Sequence, residues 1–132
     1  MKLFLIFHIN INFSSVEESE RSKIIKNCYW PLLNLIERTK KPLAIEASGY
    51  SLEQIDKIDH RFIIKLKYLI KIGLCEFIES GYTQLIGPLV PSKINFHNLK
   101  NGKKIYKKLL NNSSKVAFVN EQAFSSGIID NY

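Results

Sequence analysis

The sequence is short of the residues that build metal sites and membrane spans. It has only two cysteines, Cys28 and Cys75, which lie far apart in apolar surroundings, with no CxxC and no Cys/His pair at zinc-ligand spacing. The N-terminal segment MKLFLIFHININF has one short apolar run that soon turns polar, too short for a signal peptide or a membrane span. We therefore expect reduced thiols, no membrane partner and a cytoplasmic location.

Motifs for phosphate and metal chemistry are also missing. The sequence contains no GxGxxG, no P-loop, no HExxH and no paired aspartates, and its three histidines, His8, His60 and His97, are isolated from one another. Such patterns are the usual sequence signals of nucleotide binding and of histidine-based metal binding. We expect no cofactor and no metal.

Basic residues are in excess, but their placement is that of solvated helix faces. The 19 lysines and arginines against 12 acidic residues give a net charge of +7, and much of the excess lies in Lys57–Lys71 and Lys100–Lys108. In both segments lysines recur on the solvent side of apolar stripes, so charge alone indicates no nucleic-acid partner. With 45% apolar and 23% charged residues, the 132 residues suit a single domain.

Apolar runs alternate with amphipathic stretches along the chain. Four strands are predicted: Leu3–Ile9, a second within 42–49 that ends near Glu46, 74–80 and 116–119. The first, a continuous apolar run, is expected to be covered on both faces. Helices are predicted at Arg21–Arg38, from Asp59 to Ile72, and from Asn95 to Leu110. This order predicts an α/β fold with about four parallel strands and crossover helices, either a sheet or part of a (β/α) barrel.

Individual residues mark the boundaries of these elements. Pro31 is expected to kink the first helix or divide it at Trp30, because proline lacks the N–H that a helix interior needs. Ser51 is predicted to cap a short SLEQI turn, and Asp59 to cap the helix that follows it. Gly102 is expected to weaken the middle of the last helix.

Polar side chains recur where the predicted strands end. The candidates are His8, Asn10 and Asn12; Glu46 and Ser48; Glu76 or Glu79, with Ser80, Tyr82 and Gln84; and Asn120, Glu121 and Gln122. Ligands of parallel α/β folds gather at the carboxyl ends of the strands. Amides, carboxylates and hydroxyls suit a neutral polyhydroxylated ligand, and Tyr82, Phe124 or Trp30 could stack on a sugar ring.

Each candidate also has an ordinary structural interpretation. His8 could be a core histidine, Glu46 could pair with a lysine, and Tyr82 could hold the proline-containing loop. Glu121 could be an acidic residue near a helix start. However, Glu121 directly follows VAFV and lies between Asn120 and Gln122, so donors in a partly apolar setting would hold its oxygens, as a carboxylate nucleophile requires.

With these residues in place, the chain resembles the N-terminal part of glycoside hydrolase family 57, enzymes that act on α-glucans. The resemblance runs through nearly all 132 residues and rests on FHIN, CYWPLLNLIE, IEASG, CEFIESGYTQLIGPLVP and VNEQAFSSGI, in this order. It implies an incomplete, seven-stranded (β/α) barrel and a retaining mechanism. The nucleophile would be a glutamate at the end of the fourth strand, and the acid/base an aspartate from a later strand.

The resemblance also implies roles for particular residues. Glu121 matches the nucleophile, while His8 and Glu76 match residues that contact sugar where cleavage occurs. Asn10 stands where the family has a second histidine, and Gln122 and Ala123 stand where an aromatic residue usually flanks the nucleophile. With Glu46, Tyr82 and Gln84, these residues form the expected binding site for an α-glucan or oligosaccharide. The departures leave open whether the enzyme hydrolyses, transfers or branches glucan.

The expected acid/base is not apparent after Glu121, where the only acid is Asp130. A retaining mechanism needs two carboxyls about 5–5.5 Å apart. We therefore expect residues 1–132 to be a truncated N-terminal portion of the barrel, inactive alone. Its open sheet edges would be completed by the missing C-terminal half or by a second copy of the chain.

Two other classes of protein have a parallel α/β fold. A metal-dependent polysaccharide deacetylase of the same superfamily would need an Asp-Asp pair and a His-x-x-x-His ligand set, and the sequence has neither. A non-catalytic α/β module that binds carbohydrate or a partner chain remains the alternative.

Overall fold

A computed structural model describes residues 4–132 as an α/β fold built on a three-stranded parallel sheet in the order β1-β2-β3. The strands are β1 Ile6–His8, β2 Leu43–Glu46 and β3 Cys75–Ile78. The helices are α1 Arg21–Ile24, α2 Trp30–Thr39, α3 Gly49–Ile58, α4 His60–Lys71 and α5 Ser92–Leu110. None of the helices in this described range is long and apolar enough to cross a bilayer.

One face of the sheet packs against the helices, and the other, called the open face below, lies outside that core, although Glu46 and Ile78 on it are only 1% and 5% exposed. In the parallel register His8 lies beside Glu46, and Glu46 beside Ile78, so these three side chains point to one face, because alternate residues of a strand share a face. The opposite face, with Ile45 and Phe77, packs into the hydrophobic core formed with the helices. The polar groups at the strand ends therefore lie on the open face.

The core joins this covered face to α2, α3 and α4. Its fully buried members include Leu33 and Ile36 of α2, Leu52 and Ile55 of α3, and Phe62, Leu66 and Leu69 of α4. These residues recur three or four apart along each helix, so each helix turns one apolar stripe to the sheet. The helix predicted from Asp59 to Ile72 is confirmed as α4, His60–Lys71.

The first predicted strand is shorter and more exposed than expected. β1 is an edge strand of three residues, and Ile6 and Phe7 are 46% and 38% exposed, so the expectation of cover on both faces is wrong. The physical reason is that, within residues 4–132, β1 lies at the edge of the sheet and pairs only with β2. Leu3, the predicted start of this strand, lies outside the described residues.

The fourth predicted strand is reduced to a single contact. Ala117 forms one isolated parallel bridge with Glu79, in which the Phe118 N–H donates to the Glu79 carbonyl at 2.8 Å. Beyond Glu79 the partner backbone turns away at Gly81, which has a φ of 129°. The segment 116–119 therefore has no extended strand to pair with in the described structure.

Pro31 and Ser51 show how local chemistry sets helix boundaries. A π-helical segment, Ile25–Tyr29, precedes the proline, and α2 begins at Trp30, which confirms the predicted division. The wider π turn suits a position where the proline supplies no N–H. The predicted cap at Ser51 is wrong: Ser48 caps α3, and its Oγ accepts a hydrogen bond from the Ser51 N–H at 3.2 Å.

Helix α5 is fastened to the loop after β3 by Tyr106. The buried Tyr106 hydroxyl donates to the Gly81 carbonyl at 2.5 Å and accepts from the backbone N–H groups of Gly81 and Ser80 at 3.1 and 3.4 Å. Asn98 of the same helix makes three hydrogen bonds with Thr83, of which the shortest is 2.8 Å. These contacts hold the loop that carries Gln84.

We expect Tyr106→Phe to lower the free energy of unfolding by about 1–3 kcal/mol, because buried backbone groups of Gly81 lose their partner. Urea denaturation at neutral pH measures this loss. The exposed Tyr68→Phe change is the matched control and should leave stability unchanged. Equal stability of the two variants would show that the hydroxyl contacts do not stabilise the fold.

Ionisation of Tyr106 should also make the free energy of unfolding depend on pH in alkaline solution. Burial raises the pKa of Tyr106 from 10.0 to about 12. Between these values the unfolded state binds fewer protons than the folded state, so the free energy of unfolding falls as the pH rises. We expect this alkaline fall to be shallower in Tyr106→Phe than in the parent chain.

Candidate functional site

A polar pocket of about 520 Å³ lies where the open face meets the carboxyl ends of the strands. Its lining residues come from the end of β1, the loop after β3 and the turn after residue 119: His8, Asn10, Phe13, Gln84, Phe118, Asn120, Glu121 and Gln122. The polar groups are one imidazole, one carboxylate and four side-chain amides, and two phenyl rings complete the wall. This donor set binds hydroxyl groups well.

His8 is held on two sides at the end of β1. Its Nδ1 lies 2.7 Å from Oε2 of Glu46, and its ring packs against Phe118 edge to face, with 4.8 Å between centroids. The Glu46 side chain is 1% exposed, whereas that of His8 is 49% exposed. The imidazole therefore faces the pocket, with the carboxylate behind it.

An amide pair joins the β1 loop to the β3 loop across the pocket. The Asn10 Nδ2 donates to Gln84 Oε1 at 3.1 Å and to the Phe13 carbonyl at 2.9 Å, while Asn10 Oδ1 accepts from the Phe13 N–H at 2.9 Å. Asn10 thus shapes its own loop and fixes the distance to Gln84. The remaining amide group of Gln84, its Nε2, makes no hydrogen bond within residues 4–132.

Glu121 lies in a turn with an uncommon backbone conformation. Glu121 has φ 53° and ψ 17°, and Gln122 also has φ 53°, in the left-handed region that side chains other than glycine rarely adopt. The preceding Asn120 is buried, and its Nδ2 donates to the Leu85 carbonyl at 3.3 Å. Glu121 is exposed, and within residues 4–132 it is the only carboxylate that lines this pocket.

The structure brings together four of the seven predicted site residues: His8, Asn10, Gln84 and Glu121. Glu46 is buried behind His8 and does not line the pocket. Glu76 is exposed on β3 and shares the open face with Glu46, but it lies toward the other end of the sheet. Tyr82 lies elsewhere, since its hydroxyl donates to Glu53 Oε2 at 2.9 Å.

The other aromatic and acidic candidates are also placed outside the pocket. Trp30 donates from Nε1 to Asp59 at 2.8 Å, so neither residue is available to the pocket, and Asp59 does not cap α4 through its side chain. Phe124 lines a separate apolar cavity, and Asp130 lines a third cavity beside α5. Burial is the main cause that raises the pKa of Glu79, which also lines that third cavity.

Phe13 and Phe118 line the pocket although neither is among the residues predicted to do so. Phe13 follows Asn10 by three residues, and the hydrogen bonds that Asn10 makes to the Phe13 backbone close an Asx-type turn that could have been predicted. Phe118 falls within a predicted strand, and only the position of its ring against His8 reveals its role. Among residues 4–132, no group of three His, Cys, Asp or Glu side chains is placed to hold a metal ion.

These features define a class of protein. A parallel sheet with helices on one face, and polar groups at the strand ends of the other, is consistent with part of a (β/α) barrel. The chain belongs to glycosyl hydrolase family 57, whose family model matches residues 5–132. The membership predicted from the sequence motifs is thereby confirmed.

A solved structure supports the fold. The crystal structure of 4-alpha-glucanotransferase from Thermococcus litoralis is similar to this chain, with a TM-score of 0.83 and 18% sequence identity. The match covers 97% of this chain and 20% of that chain, so this chain spans about one fifth of the enzyme's length. A search of curated proteins finds no match.

Proposed function

We propose that this chain forms the nucleophile side of the sugar-cleavage site of a family 57 enzyme that acts on α-glucans, with Glu121 as the nucleophile. The observation that carries the proposal is the pocket itself, in which Glu121 shares the wall with His8, Asn10 and Gln84. Family membership supports the substrate class. The left-handed backbone at Glu121 adds support, because strained residues cluster at active sites.

Five of the eight lining residues have a role in this proposal. Glu121 attacks the anomeric carbon, while His8, Asn10 and Gln84 hydrogen-bond sugar hydroxyls and Phe118 provides an apolar wall. Glu76 lies on the same open face and contacts sugar deeper in the site. Tyr82 supports the neighbouring loop through its hydrogen bond to Glu53.

The reaction needs a second carboxyl, and the pocket offers none within residues 4–132 besides Glu121. Retaining enzymes place their two carboxyls about 5–5.5 Å apart. In our proposal the acid/base comes from a segment other than residues 1–132, and these residues alone do not turn over an α-glucan. The bridge at Ala117 would then extend into a fourth strand when further barrel strands, or a second copy, pair with the open edges.

A non-catalytic binding module is the second candidate. The observation that favours it is the apolar segment that leads into the edge strand β1, in which Phe4 is 82% and Leu5 49% exposed, a surface that suits contact with another chain. Gel filtration distinguishes the two: a discrete, stable oligomer indicates a module, whereas heterogeneous association indicates an incomplete barrel.

We expect the 132-residue chain to bind maltoheptaose weakly, and His8→Ala to weaken that binding by at least about tenfold, because the pocket loses a hydroxyl-binding group and part of its wall. Titration followed by NMR measures the affinity. His97→Ala, at an exposed histidine of α5, is the matched control and should bind as the parent chain does.

Glu121→Gln should retain binding, since an amide also hydrogen-bonds hydroxyls. Absence of maltoheptaose binding by the parent chain, or equal loss in His8→Ala and His97→Ala, would contradict the sugar-site proposal.

A further inference from the structure

Glu46 is a buried carboxyl whose position is unusual for a group expected to bind sugar. It is 1% exposed, it ends the central strand β2, and it lies beside His8 in the parallel register. The backbone is tied at the same point, because the Ile9 N–H donates to the Glu46 carbonyl at 2.8 Å. A side chain with so little exposure cannot contact a ligand in the pocket directly.

The Glu46 side chain depends on His8 for hydrogen bonding. Its Oε2 lies 2.7 Å from His8 Nδ1, and its Oε1 is buried without a partner among the described residues. Burying a carboxylate is costly unless a donor satisfies it. Since a carboxylate oxygen can only accept a hydrogen bond, the proton in this contact lies on Nδ1 of His8.

This arrangement determines what His8 offers to the pocket. An imidazole that donates from Nδ1 and is neutral has an acceptor lone pair at Nε2. Phe118 packs against the ring at 4.8 Å and limits its rotation. The Nε2 atom is then directed away from Glu46, toward the exposed side of the ring and the pocket that His8 lines.

We propose that Glu46 is a positioning residue that fixes the tautomer and orientation of His8, so that Nε2 of His8 accepts a hydrogen bond from a sugar hydroxyl. The pairing of Glu46 with His8 follows from their geometry alone, whereas the binding of a sugar hydroxyl by His8 rests on the proposed function. Glu46 thereby acts on the ligand through His8 and not by contact.

The chain contains a matched comparison pair. His60 Nδ1 lies 2.6 Å from Asp56 Oδ1, but this pair is at the surface and does not line the sugar pocket. The same chemical change can therefore be made at both carboxyls, as Glu46→Leu and Asp56→Leu. Leucine removes the acceptor and is compatible with the buried position of Glu46.

The test is ¹⁵N NMR of histidine-labelled protein, which distinguishes protonation at Nδ1 from protonation at Nε2. We expect Nδ1–H for His8 in the parent chain at a pH where the imidazole is neutral, and Nε2–H in Glu46→Leu. Asp56→Leu should change the signals of His60 and leave those of His8 as they were. Circular dichroism checks that each variant is folded.

The affinity for maltoheptaose is the second measurement. We expect maltoheptaose affinity to fall about tenfold in Glu46→Leu, equivalent to about 1.4 kcal/mol, and to stay unchanged in Asp56→Leu. Unchanged affinity in a folded Glu46→Leu chain would overturn the positioning role.

The tautomer measurement is independent of any sugar. An Nε2–H form of His8 in the parent chain overturns the proposal even if Glu46→Leu does not fold. If the parent chain shows Nδ1–H but binds no maltoheptaose, the proposed function fails together with the sugar-facing role, while the pairing of Glu46 with His8 stands.

Discussion

We expect 5-fluoro-α-glucosyl fluoride to label the chain covalently at Glu121, and Glu121→Gln to abolish the label. A carboxylate oxygen of Glu121 would attack the anomeric carbon, the C1–F bond would break with its electron pair, and fluoride would leave as a glycosyl ester forms. Fluoride needs no proton to depart, so labelling does not require the acid/base that the pocket lacks within residues 4–132.

The label should persist because the second step is slow. The fluorine on the sugar ring withdraws electrons and destabilises the oxocarbenium-like transition state through which the ester is hydrolysed. Intact-mass spectrometry should show the addition of one fluoroglucosyl unit, and peptide mapping should place it on Glu121. The side-chain amide introduced by Glu121→Gln cannot act as this nucleophile.

Asp130→Asn is the control for this experiment, because Asp130 is the other acid after residue 120 and lines a different cavity. Its label should equal that of the parent chain. Labelling that survives Glu121→Gln, or that maps to another residue, would remove Glu121 from the nucleophile role. Turnover of unactivated maltoheptaose by the parent chain would instead show that these 132 residues do supply an acid/base.

The second large effect is expected at Gly102, in the middle of α5. We expect Gly102→Ala to lower the free energy of unfolding by about 2 kcal/mol or more, although alanine favours a helix by about 1 kcal/mol. An added Cβ would lie 2.5 Å from the carbonyl carbon of Gly81 and 2.7 Å from the backbone nitrogen of Tyr82. Both are backbone atoms that cannot rotate away, so the helix and the loop must separate.

Two other glycines serve as controls in urea denaturation. A Cβ at Gly127 meets nothing within 4 Å and needs no positive φ, so Gly127→Ala should leave the midpoint nearly unchanged. Gly73 also has open space but a φ of 73°, and Gly73→Ala should cost about 1 kcal/mol through backbone strain alone. If Gly102→Ala were as stable as Gly127→Ala, the close approach of α5 to the loop would be refuted.

The elements that could be predicted are those with a strong local pattern. The prediction of β2 is right at its end, Glu46, and those of α4 and α5 are right within a few residues, because apolar periodicity and boundary residues act over one or two turns. The site is predicted in part for the same reason. His8, Asn10, Gln84 and Glu121 follow strand-like segments, and such residues meet at one edge of a parallel sheet.

The features that could not be predicted depend on contacts between distant parts of the chain. The sequence predicts Tyr82 in the pocket, but its partner Glu53 is 29 residues away, and nothing near Tyr82 in the sequence indicates that hydrogen bond. Gly102 is predicted to weaken α5, whereas it lets the helix reach the backbone of Gly81. The first strand has a composition that suits burial, but its place at the sheet edge leaves it exposed.

The amino-acid sequence by itself determined the alternation of strands and helices, the family, and which polar residues end the strands. Only the tertiary structure decided that Glu46 lies behind His8, 38 residues away, and that Asn10 bonds to Gln84, 74 residues away. The physical reason is that helix and strand patterns arise from neighbouring residues, whereas the partner of a side chain depends on strand register and on which face of the sheet the helices cover.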